Sequence, residues 1–217
     1  MILKLQVLKT MVKIISINGN IACGKSTLLS ALKMKGHDVV LEGYNRGAWG
    51  DVLNLYYQDP KRYGYLFQTL VIAEMKESYQ RIREEGKFVG KNDDDIVFVE
   101  RAHVDCLAFA KLVHKNGDMS DVEFNTFRRL YDLLLEQPDV IISLNLSPEV
   151  CFERCKARGR KCEAGLSVEY LNGVHNSTNS ALLENSNYPD SPKLMTLDVL
   201  GMRTEEIVKK IEEMSKM

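Results

Sequence analysis

The eight residues Gly19-Asn20-Ile21-Ala22-Cys23-Gly24-Lys25-Ser26 fit G-x-x-x-x-G-K-[ST] at every fixed position, and Thr27 is taken with them. Two glycines let a backbone wrap closely round an anion, so that successive N–H groups point inward. Lys25 supplies a point charge for the outer phosphates of a nucleotide, and the Ser26 hydroxyl is a ligand for Mg²⁺. A helix opening at this point aims its positive end at the same anion. The chemistry expected here is the binding of a triphosphate, read as ATP with Mg²⁺. Such a loop alone does not separate kinases, GTPases and motor ATPases. The rest of the chain must do so.

The loop needs a strand before it and a helix after it, and the apolar pattern supplies both. Val12–Ile17 reads as a buried strand and Lys25–Lys35 as a helix. Asp38–Leu41, Asp95–Val99, Val140–Leu146 and Leu194–Val199 read as four further strands. Helical patterns fall at Asp51–Tyr57, Pro60–Glu85, Ala102–His114, Asp121–Glu136, Pro148–Ala157 and Thr204–Met217. Continuous apolar strands alternating with helices indicate a doubly wound parallel α/β sheet covered on both faces. In such sheets ligands bind beyond the carboxyl ends of the strands. The polar residues after Ile17, Leu41, Val99 and Leu146 are therefore expected to converge on one crevice.

Composition narrows the partners. With 29 basic and 30 acidic side chains the formal charge is −1, so no broad positive field awaits a nucleic-acid backbone. Hydrophobic residues at 45% argue against disorder, and 217 residues fit one domain. The cysteines Cys23, Cys106, Cys151, Cys155 and Cys162 form no C-x-x-C pair and suit a reducing compartment. Cys151, Cys155, Cys162 and His175 match no usual zinc spacing. The apolar start is too short to span a bilayer, and residues 1–11 read as a tail. The expectation is a cytoplasmic protein with no membrane partner.

Residues spaced from about Val12 to Leu171 resemble the deoxynucleoside kinase family, the group of deoxycytidine, deoxyguanosine and mitochondrial-type thymidine kinases. Glu42, in VVLEGYNRGAW, is similar to the glutamate of the family's E-P-V-x-x-W pattern. That resemblance implies a base for the nucleoside 5′-hydroxyl, a role a carboxylate beside a phosphate loop can fill. Gly43 replaces the proline, and Trp49, the implied wall against the base, lies seven residues on instead of five. LYYQDPKRYGYLFQT looks like the family's M-Y-x-D-P-x-x-W…F-Q stretch. It implies that Tyr57 touches the sugar 3′-hydroxyl and that Gln68 pairs with the base edge, where an amide offers donor and acceptor together. A lone glutamine on a helix is otherwise a solvated residue.

Glu100-Arg101-Ala102-His103 resembles the family's [DE]-R-S, with alanine for serine. The match implies that Glu100 serves Mg²⁺ and that Arg101 stabilises charge near the reacting phosphate. Arg154, Arg158, Arg160 and Glu163 lie in FERCKARGRKCEAGLSVEYL, which is similar to the family's lid, R-x-R-x-E-E followed by a helix ending in Y-L. Glu163 takes the second acidic position, implied to hold the 3′-hydroxyl, and Cys162 replaces the first. The resemblance thus implies a P-loop NTPase-type five-stranded sheet with an arginine-rich lid at about 158–166, and a homodimer packed through helices. The segment Asn172–Pro189 departs from the family's helix and is expected to be partly irregular.

Base preference rests on two positions. Deoxycytidine and deoxyguanosine kinases pair an arginine with an aspartate there; the thymidine type has methionine and alanine. Counting from Gln68, the arginine position is Met75. Counting from Arg101 puts the aspartate at Cys106, whereas counting back from Phe109, the implied base-stacking aromatic, puts it at Asp105. Both alignments stand. The expected acceptor is a pyrimidine deoxynucleoside, thymidine or deoxycytidine. The alternatives are a purine deoxynucleoside kinase, a nucleoside monophosphate kinase, and a nucleotide-binding partner subunit without turnover.

Overall fold

Lys13–Gly19 (β1) runs through the molecule's centre because all but its first residue are buried. The computed structural model describes residues 12–41, 48–84, 96–160, 163–187 and 189–217. Around β1 lie Asp38–Val40 (β2), Ile96–Glu100 (β3), Val140–Asn145 (β4) and Lys193–Asp198 (β5). They form a five-stranded sheet in the order β2-β3-β1-β4-β5, with every neighbouring pair parallel. The register sets Ile17 beside Glu100 and Gly19 beside Leu144. Glu100 and the phosphate loop therefore open at the same edge of the sheet.

The helices are Lys25–Met34 (α1), Ala48–Gln58 (α2), Pro60–Glu84 (α3), His103–Lys115 (α4), Asp121–Leu134 (α5), Pro148–Arg158 (α6), Val168–Ser186 (α7) and Thr204–Ser215 (α8). One core joins Ile15, Ile17, Leu29, Leu32, Ile142 and Ile211 beneath the loop. A second, built on Trp49, Tyr56, Phe67, Ile72 and Phe127, locks α2 and α3 to α4 and α5. Each such side chain contributes about 1.5–3 kcal/mol when fully buried. Among the described residues no helix is long and apolar enough to cross a membrane.

Three expectations change. The strand before the loop runs to Gly19, two residues further than read, because Asn18 is buried beside β4. α2 starts at Ala48, ahead of Asp51, and so takes in Trp49. The Asn- and Ser-rich segment is helical from Asn172 to Ser186. It belongs to α7, which runs to Ser186 and has Tyr170-Leu171 in its first turn rather than at its end. Ser167 caps it, accepting from Tyr170 N at 3.2 Å. Leu171, Val174, Thr178, Ala181 and Leu182 then bury one helical face. The polar residues are accommodated rather than disruptive: Asn172 Nδ2 donates to Val168 O, and Ser177 Oγ donates to Ala108 O on α4.

Candidate active site

Backbone conformation shapes the loop first. Gly19 (φ 139°) and Gly24 (φ 112°) occupy the region that favours glycine. A Cβ on Gly19 would stand 2.8 Å from both Cys23 Sγ and Leu144 O. α1 then begins after Gly24 with no side-chain cap and no acidic residue in its first turn. Its leading N–H groups face the loop with the helix dipole behind them. Lys25 is buried, and its Nζ donates to Gly19 O (3.0 Å) and Asn20 O (2.8 Å), which fixes the ammonium over the loop. Asn20 steadies the loop from below, its Nδ2 donating to Leu171 O of α7 at 3.0 Å.

The loop borders a cavity of about 940 Å³ at the carboxyl ends of the strands. Ile21, Ala22, Cys23, Gly24, Lys25, Ser26 and Thr27 line it, together with Trp49, Tyr57, Gln68, Met75, Glu100, Arg101, Asp105, Phe109, Arg154, Arg158, Arg160 and Glu163. Gly19 and Asn20 support the loop without lining the cavity. Glu42 and Cys162 lie outside the described residues. Among the described residues five basic side chains line the space against three acidic ones, in a chain of formal charge −1. That local excess can draw in a polyphosphate.

At the loop end Ser26 Oγ donates to Glu100 Oε1 at 2.8 Å. Arg154 Nη1 reaches Cys23 O at 3.2 Å. Arg158 closes α6, and the left-handed Gly159 (φ 65°) ends that helix. Both Glu163 oxygens accept from Arg158 Nη2, at 2.7 and 2.6 Å, and one lies 3.4 Å from Arg160 Nη1. Buried Cys151, earlier on α6 and near Cys23 and Lys25, has its thiol pushed up to about 12, chiefly by desolvation.

At the other end Gln68 is 1% exposed, not solvated, and its Oε1 makes no hydrogen bond among the described residues. Trp49 meets Phe67 edge-on, ring centroids 5.3 Å apart, and walls the same space. Met75 Sδ lies 3.8 Å from Cys106 Sγ. Asp105 turns back to the start of α4, where its Oδ2 accepts from Ala102 N at 3.0 Å.

The cavity has a lining that sequence reasoning missed: Tyr170, and Val199, Met202, Thr204 and Ile207 after β5. The signal was available, because β5 runs parallel to β4 and ends at this same edge, where such sheets bind ligands. Tyr170 and Tyr56 share a hydrogen bond, tying α7 to α2. Burial, with Tyr56 and Tyr57 beside it, pushes the Tyr170 hydroxyl well above its usual range.

Comparison with known proteins agrees with this geometry. A family model described as deoxynucleoside kinase matches residues 15–216. The deoxycytidine kinase of Homo sapiens is 31% identical, over 94% of this chain and 91% of that protein. The deoxyadenosine kinase of Dictyostelium discoideum is 32% identical, over 80% and 68% respectively. A solved deoxyadenosine kinase from M. mycoides, with products dCMP and a flexible dCDP bound, superposes with a TM-score of 0.77. It covers 94% of this chain and 98% of its own at 19% identity, a likeness of fold. The chain belongs to the deoxynucleoside kinase family, and with it to the ATP-dependent phosphotransferases.

Proposed function

We propose that this kinase transfers the γ-phosphoryl group of ATP to the 5′-hydroxyl of a pyrimidine deoxynucleoside, thymidine or deoxycytidine. The observation that carries this reading is one cavity with a phosphate loop at one end and, at the other, the buried Gln68 Oε1, which has no hydrogen-bond partner among the described residues. A buried amide oxygen without a partner is costly, and a base edge answers it. Trp49 and Phe109 flank the base in this reading, and Tyr57 with Glu163 takes the sugar 3′-hydroxyl. Glu42, assigned from its motif, accepts the 5′-proton. Lys25 and Arg101 stabilise the charge that develops on the transferring group. Arg154, Arg158 and Arg160 close over the phosphates as a lid, which requires Glu163 to loosen its grip on Arg158.

Magnesium fits the loop end. Ser26 Oγ and Glu100 Oε1 are hard oxygen donors 2.8 Å apart, and Mg²⁺ takes such ligands together with phosphate oxygens and water. Its contribution would be to neutralise phosphate charge. The family's homodimer remains part of this proposal, and sedimentation reads it.

Within the pyrimidine reading, the contact between Met75 and Cys106 favours thymidine. It forms a neutral wall where the deoxycytidine and deoxyguanosine pattern has an arginine–aspartate pair. Asp105 is occupied by the start of α4, which favours the alignment that puts Cys106 at that position. Purine acceptors stay in view because a relative acts on deoxyadenosine. Initial rates with MgATP and each of the four deoxynucleosides test the choice. Thymidine or deoxycytidine is expected to give the highest kcat/KM, and a purine ahead of both overturns the preference.

A further inference from the structure

β1 carries two polar side chains in its buried stretch. Ser16 and Asn18 are both 0% exposed and, two residues apart, share one face of the strand. Neither belongs to the phosphate-loop motif, and neither lines the cavity. A hydroxyl and an amide inside a sheet are costly unless bonded, so their presence needs a reason.

Their bonds run in series toward Arg101. Ser16 Oγ donates to Asn18 Oδ1 at 3.0 Å, which fixes the orientation of the amide. Asn18 Nδ2 therefore faces α4 and donates to Asp105 Oδ2 at 2.5 Å. That oxygen also accepts from Ala102 N, while Asp105 Oδ1 stands 3.7 Å from Arg101 Nη1. Arg101 itself adopts φ 67°, a left-handed conformation that a long side chain rarely takes, and its N–H donates to Ile17 O at 3.0 Å. Its guanidinium lies over the Phe109 ring, 4.9 Å from the centroid. The strained residue is thus held by backbone, ring and carboxylate. The carboxylate is in turn held by a side chain of the central strand.

We infer that Asn18, oriented by Ser16, is a positioning residue that fixes Asp105 and through it aims the Arg101 guanidinium at the transferring phosphate. The inference rests on the kinase reading, in which Arg101 stabilises developing charge. Misplacing such a group by about 1 Å costs on the order of a hundredfold in rate, so a loosened support is expected to show in kcat before KM.

Two variants test it, each in the wild-type chain and in an Arg101→Ala background. Asn18→Asp is isosteric and replaces the donor with a second carboxylate against Asp105. Ser16→Ala, one atom smaller, removes only the orienting hydroxyl and keeps the fold if the first variant does not. Trp49 is the single tryptophan and lines the cavity, so its fluorescence reports deoxynucleoside affinity without turnover. Asn18→Asp is expected to lower kcat about tenfold or more and Ser16→Ala about threefold, with KM and affinity within about twofold. In the Arg101→Ala background each is expected to change kcat less than about twofold, the non-additivity of residues acting through one another. Full losses repeated on top of Arg101→Ala, or wild-type kcat in both variants, overturn the inference. A wild-type protein that makes no monophosphate instead refutes the kinase reading, so the two failures are distinct.

Discussion

Glu42 is the residue on which turnover is expected to depend most steeply, because a 5′-hydroxyl attacks phosphorus poorly while it keeps its proton. Glu42→Gln preserves shape and removes the base. It is expected to lower kcat at least about a hundredfold while the deoxynucleoside KM stays within about threefold. Near-normal turnover removes Glu42 from its role. That Lys25, Ser26, Glu100 and Arg101 share one cavity was legible from sequence because chemistry fixes both their type and their spacing. Lys25 and Ser26 follow the second glycine, and Glu100-Arg101 closes a strand beside the loop. The choice between Asp105 and Cys106 was not legible. It turns on whether a carboxylate in the first turn of α4 is engaged by a ligand or by the Ala102 N–H and the Asn18 amide, which spacing does not encode. The Ser16–Asn18 pair was hidden for a similar reason, since nothing in IISING marks a hydrogen bond to a residue 87 positions away.

Among the elements, α3 and α4 approach so closely at Gly64 that a Cβ there would lie 2.8 Å from Val113 Cγ1 and 3.2 Å from Asp118 O. Val113 is buried, short and branched, and the second contact is backbone, so neither gives way easily. Helix propensity alone favours alanine over glycine by about 1 kcal/mol. Overpacking is expected to win, and Gly64→Ala to lose about 1–3 kcal/mol of stability in denaturant unfolding. A more stable variant contradicts the close approach. The strands and most helices were readable because buried parallel strands are apolar throughout and helices recur at their own period. α7 was misread because Asn and Ser are weak helix formers. Its stability comes instead from the face it buries, which includes Val174 and Ala181.

For the whole molecule, pH sensitivity follows from a histidine between α4 and α7. His103 is 3% exposed, and its Nε2 lies 3.1 Å from Asn185 Oδ1. Burial pushes its pKa down, and the hydrogen bond to Asn185 only partly offsets this. The folded chain thus keeps His103 neutral while the unfolded chain takes up a proton below about pH 6.5. Stability is full above that value and falls as pH drops through it. Tm is expected to decline between about pH 7 and pH 5, and to decline less in His103→Gln. Equal declines in both proteins refute the assignment. At this scale the sheet and its site edge were legible from sequence. The part played by the β5–α8 connection emerges only when the end of β5 is seen to open on the same cavity as the ends of β1, β3 and β4.

The central claim is that a triphosphate tail on the Gly19–Ser26 loop meets a sugar hydroxyl across a single cavity. Phosphorus NMR of the protein with MgATP and thymidine or deoxycytidine tests it most directly. A 5′-monophosphate resonance growing in step with ADP is the predicted result. ADP accompanied only by inorganic phosphate, or ATP left intact with every deoxynucleoside, would contradict it.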